Sequence, residues 1–206
     1  RRTVEGPALY KKDGWYYLFC AEGGTGERHC ETVLRCRTID GLYEPSPYDP
    51  LITSYPYPQS PLQKAGHAAI AQGADGSWFL SHLCGRPLGE GKDCVLGRET
   101  GIQALAWRDG WPCLADGTDM PHLTVETPYP DAPVPEALRS GAAWRDDFEG
   151  ESWSWRFMSL RAPLDDRADL TARPGWLRLM GAESLESRFT QTLLAARQQH
   201  FACRVD

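Results

Sequence analysis

Asp13-Gly14-Trp15-Tyr16-Tyr17-Leu18 returns 62 residues later as Asp75-Gly76-Ser77-Trp78-Phe79-Leu80. In each copy a turn dipeptide runs straight into an aromatic stretch. Asp-Gly between apolar runs is a strong hairpin signal, because both residues tolerate the positive φ that a tight turn of the right twist demands. Aromatic side chains suit the pleated surface that follows. A third turn, Arg108-Asp109-Gly110-Trp111, comes 34 residues after the second, too early for another full copy. It fits the outer hairpin of the second unit. Short apolar runs closed by Gly, Pro and Asp dominate elsewhere, and helical periodicity is hard to find, so the fold class expected is all-β. A period of this size, with about four short strands per unit, suggests propeller blades.

Each blade of a propeller opens with an inner strand near the central channel. Carrying the 62-residue offset back to the start of the chain sets Glu5 on His67, and Gly6-Pro7-Ala8 on Ala68-Ala69-Ile70. Two ionisable residues are therefore expected at the same place in adjacent blades, within reach of one ligand. Asp13 and Asp75 sit in the turns, away from that end.

The bulk properties narrow the function classes. The chain has 206 residues, a formal net charge of -6 and a pI near 5.4. Lys and Arg are scattered, which argues against nucleic acid and anionic membrane as partners. No apolar run approaches the roughly 18 residues of a membrane span. Eight Trp, eight Tyr and six Phe suit strands and also the faces of sugar rings. The seven cysteines are odd in number and include no Cys-x-x-Cys pair, so neither a zinc site nor a disulfide framework is indicated. Reduced thiols, and with them a cytoplasmic location, are the expectation.

After Leu123 the texture changes. Thr127-Pro128-Tyr129-Pro130-Asp131-Ala132-Pro133-Val134-Pro135 reads as an extended linker. Strand-like alternation resumes from Trp144-Arg145-Asp146-Asp147-Phe148, through Trp176-Leu177-Arg178-Leu179 to Phe201-Ala202-Cys203-Arg204-Val205. The expected division is blades over 1–124, a linker over 125–143 and a second β region over 144–206.

Six motifs in order resemble glycoside hydrolase family 43. They are Val4-Glu5-Gly6-Pro7, Trp15-Tyr16-Tyr17-Leu18, Ala21-Glu22-Gly23-Gly24-Thr25, Gln63-Lys64-Ala65-Gly66-His67-Ala68, Leu96-Gly97-Arg98-Glu99-Thr100 and Trp107-Arg108-Asp109-Gly110-Trp111-Pro112. The chain is most similar to the β-xylosidase and α-L-arabinofuranosidase branch, whose five-bladed β-propeller is followed by a concanavalin-like β-sandwich. Trp144-Arg145-Asp146-Asp147-Phe148 and Leu170-Thr171-Ala172-Arg173-Pro174-Gly175 resemble the start of that sandwich.

The resemblance implies inverting hydrolysis of terminal pentose from xylo-oligosaccharides or arabinosides. One carboxylate acts as base on water, a second protonates the leaving oxygen, and a third tunes the second. An inverting pair stands about 6.5–9.5 Å apart to leave room for the water. By the resemblance Glu5 is the general acid, Arg98 is the arginine that reaches substrate hydroxyls, and His67 is the histidine near the channel axis. In some relatives that histidine helps hold a central cation, so a calcium ion is the one cofactor the resemblance leaves open. The matching base and tuning aspartate belong to earlier blades. The chain is thus expected to hold the last two or so blades plus part of the sandwich, to be inactive alone, and to self-associate or need the missing part. Where the branch has His after Gly-Pro this chain has Ala8, and where it has Asp after His-Ala this chain has Ala69. Those two losses bear on pocket polarity and on any cation site, and give some support to the rival reading, a non-catalytic carbohydrate-binding propeller. Trp15, Tyr16, Trp78 and Phe79 are expected to pack blades, Glu22 to serve the pocket wall or its hairpin, and His29, His82, His122 and His200 to have no functional role.

Overall fold

A computed structural model describes residues 3–89, 93–129 and 143–205. Those residues form thirteen strands and one 3-10 turn, Asp165–Arg167, and no α-helix. The chain divides into two units, Arg1–Ala132 and Pro133–Asp206.

The first unit is two antiparallel meanders. One sheet runs β1 (Val4–Lys12), β2 (Trp15–Glu22), β3 (Cys30–Cys36) and β4 (Glu44–Pro45), with β5 (Ile52–Thr53) pairing the other end of β3. The other runs β6 (Gln63–Gln72), β7 (Trp78–Gly85), β8 (Glu99–Arg108) and β9 (Trp111–Leu114) in that order. The three Asp-Gly turns fall between strands, but not identically. Asp13-Gly14 and Asp109-Gly110 close two-residue hairpins, with φ of 49° and 76°, and 51° and 72°. Asp75-Gly76 lies in a longer loop closed by Gly73 N–H on Ser77 O at 2.7 Å, and Asp75 accepts from the Ser77 amide and hydroxyl.

The two sheets share one core. Tyr17, Phe19, Val33, Leu51 and Ile52 of the first meet Ala65, Ala68, Ile70, Leu80, Leu105, Trp111 and Leu114 of the second. Alternation explains the choice: Tyr17, Phe19 and Ala21 of β2 point one way and are buried. Polar ties cross the same seam. Tyr17 Oη donates to Gly110 O at 2.6 Å, and Ile70 N–H donates to Tyr10 Oη at 3.1 Å. Arg35 stacks over both Trp15 and Trp111, at 4.1 and 3.9 Å from the ring centres. Trp15 and Trp78 pack against the core as expected, whereas Tyr16 lies under Lys11 and Phe79 against Tyr129. Cys20, Cys84 and Cys113 are buried and act as small apolar residues; burial pushes the Cys84 thiol up to about 11.

The linker expected over 125–143 falls mostly in 130–142, outside the described residues. The second unit is less regular than its alternation suggests. Its strands are two residues each: β10 (Phe157–Met158) pairs β13 (Ala195–Ala196), and β11 (Ala168–Asp169) pairs β12 (Arg178–Leu179). Of Trp176–Leu179 only Arg178–Leu179 is strand, and Phe201–Val205 and Trp144–Phe148 hold none. Alternation makes a strand only where a neighbour completes the ladder. Phe157 of β10 also packs with Trp144 and Phe148, and Arg167 holds the loops by donating to Pro163 O and Gln191 O, each at 2.8 Å.

Candidate active site

The inner strands β1 and β6 deviate at matching points. In β1 the pairing with β2 shifts between Glu5 and Ala8; in β6 the pairing with β7 shifts between Gly66 and Ala69. Each irregularity carries one positive φ, Gly6 at 58° and His67 at 52°. Bulges re-aim side chains at the ends of strands. They also correct the sequence alignment by one place. Along the inner strand Gly6 corresponds to His67, and Glu5 to Gly66, because β6 has one residue fewer than β1 between bulge and hairpin.

The correction brings the two residues together. A Cβ added at Gly6 would lie 2.4 Å from His67 Nε2, so the imidazole is packed over Gly6, next to Glu5. Glu5, His67 and Arg98 are all exposed. All three lie in electrostatic reach of one buried group, the His29 ring, whose pKa is lowered first by burial. Arg98 follows Gly97, whose φ is 73°. Glu99 is engaged bidentately by Arg86, at 2.7 and 3.0 Å. The three residues singled out in the sequence therefore share one end of the paired sheets.

Two further residues complete that end, and both come from the chain around β3. His29 is 1% exposed and its Nδ1 donates to Lys64 O at 2.9 Å. Glu31 is 0% exposed, and its Oε2 accepts from Ala68 N–H at 2.9 Å. Burial raises the Glu31 carboxyl to about 8, against the opposing pull of the Ala68 and His67 amides. The sequence assigns His29 no functional role and points to no role for Glu31. The signal for Glu31's burial was present: in Cys30-Glu31-Thr32-Val33 alternation puts a Glu on the face of a buried Val. His82 is buried and satisfied by Gln103 and its neighbour's carbonyl, with nothing left to offer a ligand. Glu22 accepts from Thr32 Oγ1 at 3.0 Å, a contact across its own hairpin.

That end of the sheets carries an exposed carboxylate, a guanidinium and an imidazole. That set suits a small polyhydroxylated molecule: Arg donates to paired hydroxyls and Glu exchanges a proton. Among the described residues no group of three or more His, Cys, Asp or Glu side chains could hold a metal ion. A cavity of about 490 Å³, lined by Tyr57, Pro58, Met120, Pro121 and Leu123 among others, includes none of the three.

Residues 2–112 match the model of glycosyl hydrolases family 43, and residues 145–206 match the β-xylosidase C-terminal concanavalin A-like domain. The chain belongs to glycosyl hydrolase family 43. It is 41% identical to the β-xylosidase of Bacillus subtilis (strain 168) over 98% of its own length and 39% of that protein's. It is 43% identical to xylosidase/arabinosidase 43B of Humicola insolens, over 97% of the chain and 36% of the relative. The crystal structure of xylan β-1,4-xylosidase from Bacillus halodurans C-125 superposes with a TM-score of 0.88 at 45% identity, covering 96% of this chain and 37% of that one. The chain thus spans under two fifths of the length of these relatives. Within the family, the two sheets are blades of its propeller and the second unit is part of its concanavalin-like domain.

Proposed function

We propose that the whole protein carrying this chain is an exo-acting glycosidase that releases terminal xylose or arabinose from xylo-oligosaccharides or arabinosides by single-displacement inversion. Glu5 is its general acid, and Arg98 and His67 bind the sugar. The observation that carries the reading is the His67 ring seated on the glycine beside Glu5, at the end of the sheets where Arg98 precedes the start of β8. Glu31 cannot serve as the opposing base, because it is fully buried and turned onto a backbone amide. By the family pattern the base belongs to an earlier blade of the whole protein. Residues 1–206 alone therefore turn over no glycoside, and in solution they self-associate or bind the remainder of the enzyme.

Two measurements test this. In the whole protein, Glu5→Gln should cut hydrolysis of alkyl xylosides roughly 10²–10⁴-fold and spare aryl glycosides with good leaving groups, which need little protonation. Equal losses on both substrates would remove Glu5 from the acid role. The alternative, a carbohydrate-binding propeller without chemistry, draws support from Ala8 and Ala69 in place of polar residues. It requires that the whole protein bind xylo-oligosaccharide and release nothing.

A further inference from the structure

The stretch Lys64–Ala68 of β6, which presents His67, is held largely by the neighbouring sheet. It is an unfavourable backbone: Lys64 and His67, neither of them glycine, have φ of 59° and 52°. Such residues cost on the order of 1–2 kcal/mol each and persist only where their surroundings over-determine them. Three grips do so. His29 Nδ1 donates to Lys64 O at 2.9 Å, Ala65 N–H donates to Ser54 Oγ at 3.3 Å, and Ala68 N–H donates to Glu31 Oε2 at 2.9 Å. The first two fix the start of the stretch. Glu31 alone takes the amide that follows His67.

Glu31 is an expensive way to do this. It is fully buried, and its Oε1 has no hydrogen-bond partner. An apolar side chain of similar size would fill the space without the desolvation cost. What only a side chain with an acceptor supplies is the hydrogen bond to Ala68, whose amide would otherwise be buried and unsatisfied. We propose that Glu31 is a positioning residue: by accepting the Ala68 N–H from the adjacent blade it fixes the bulge at His67, and with it the angle at which the imidazole meets the sugar. The proposal rests on the reading of His67 as a substrate contact.

The test uses the whole protein, an aryl xyloside, and four variants. Glu31→Leu removes the acceptor, Glu31→Gln keeps one, His67→Ala removes the ring, and the fourth combines His67→Ala with Glu31→Leu. Glu31→Leu should raise KM about as much as His67→Ala, roughly tenfold, with kcat little changed, since a lost hydrogen bond of this class is worth that factor. The double variant should be no worse than His67→Ala alone, and Glu31→Gln should stay within about twofold of the parent. Hydrogen–deuterium exchange of a peptide covering 63–70 should be fast in Glu31→Leu and slow in Glu31→Gln. An unchanged KM in Glu31→Leu, or full additivity in the double variant, overturns the proposal. So does a Glu31→Gln protein whose KM rises to the His67→Ala value, an outcome readable even if Glu31→Leu does not fold. A His67→Ala protein with normal KM strikes instead at the reading of His67 in the site, while the exchange data still report whether Glu31 holds the bulge.

Discussion

The two blades of the first unit bend at the same point and put different residues there. In β1 the bulged position is Gly6, and the residue before it is the exposed Glu5. In β6 the bulged position is His67, and the residue before it is Gly66, where a Cβ would lie 2.8 Å from Cys30 O. The glycines are exchanged between copies for a steric reason. Gly6 leaves room for the imidazole coming from β6, and Gly66 leaves room for the backbone entering β3. Each blade yields space where the other places a side chain or backbone, so a repeated backbone gives an asymmetric end. The comparison also shows where strain is tolerated: glycine takes the positive φ of β1 freely, whereas β6 holds a histidine there by hydrogen bonds from its neighbour.

The comparison breaks hardest at the carboxylates. If the proposed roles hold, loss of Glu5 in the whole protein should remove a chemical step, roughly 3–5 kcal/mol in barrier terms, whereas loss of His67 or a lysine in place of Arg98 should weaken binding. Arg98→Lys keeps the charge but not the planar fork, and kcat/KM should fall by about 1–3 kcal/mol in transition-state terms. An unchanged kcat/KM would place Arg98 away from the sugar.

The next effect is in stability. Burial raises Glu31 from 4.5 to about 8 and Asp49, which accepts from Val33 N–H at 2.9 Å, from 3.8 to about 7. The folded chain therefore binds more protons than the unfolded chain between those values. Stability from these two groups is full below the unfolded pKa values and is lost as pH rises toward 8. The drop should amount to a few kcal/mol between pH 5 and pH 8, and chemical denaturation at the two values measures it. Glu31→Gln, which cannot ionise, should flatten much of the slope. A parent chain more stable at pH 8 than at pH 5, with the same slope in Glu31→Gln, would show that the blade seam hydrates its carboxylate.

Much of this was legible in the sequence, and the reason differs by feature. The hairpins and blade order could be read because Asp-Gly turns and aromatic alternation are local signals. Glu5, His67 and Arg98 could be named from motifs. The bulges could not be read: a register shift depends on the partner strand, and it moved the alignment of Glu5 and His67 by one residue. Glu31 was hidden for a related reason. Whether a strand Glu faces solvent or core depends on which sheet face is covered, and that face is covered by another blade. In the second unit, alternation at Phe201–Val205 points to a strand, and none forms there.

A smaller effect tests the glycine exchange itself. Gly6→Ala meets both a φ of 58° and the His67 ring at 2.4 Å. The backbone cost alone is roughly 1–2 kcal/mol, and the displaced imidazole should raise KM as well. The change in stability without a change in KM would separate the ring from the site.

The smallest expected difference lies in the turns with which the repeat was first seen. Gly14 and Gly76 both have positive φ, 76° and 89°, so alanine is disfavoured at each. Their surroundings differ. Gly14 closes a two-residue hairpin with Asp13, itself at φ 49°, and both Lys12 and Trp15 are paired on either side. An added methyl there meets Arg37 Nη1 at 3.3 Å. Gly76 sits in the five-residue connection between Gln72 and Trp78, and its nearest neighbour, Gln72 Nε2, is 3.9 Å away. A two-residue turn fixes strand register and cannot change its dihedral angles without moving both strands. A longer loop can redistribute them. Gly14→Ala should therefore cost about 1–2 kcal/mol, and Gly76→Ala less than 1 kcal/mol, when the two are compared by denaturant midpoint at equal m. Equal costs would mean that the Asp75 clasp on Ser77 makes the longer loop as rigid as the hairpin, and Ser77→Ala should then release it.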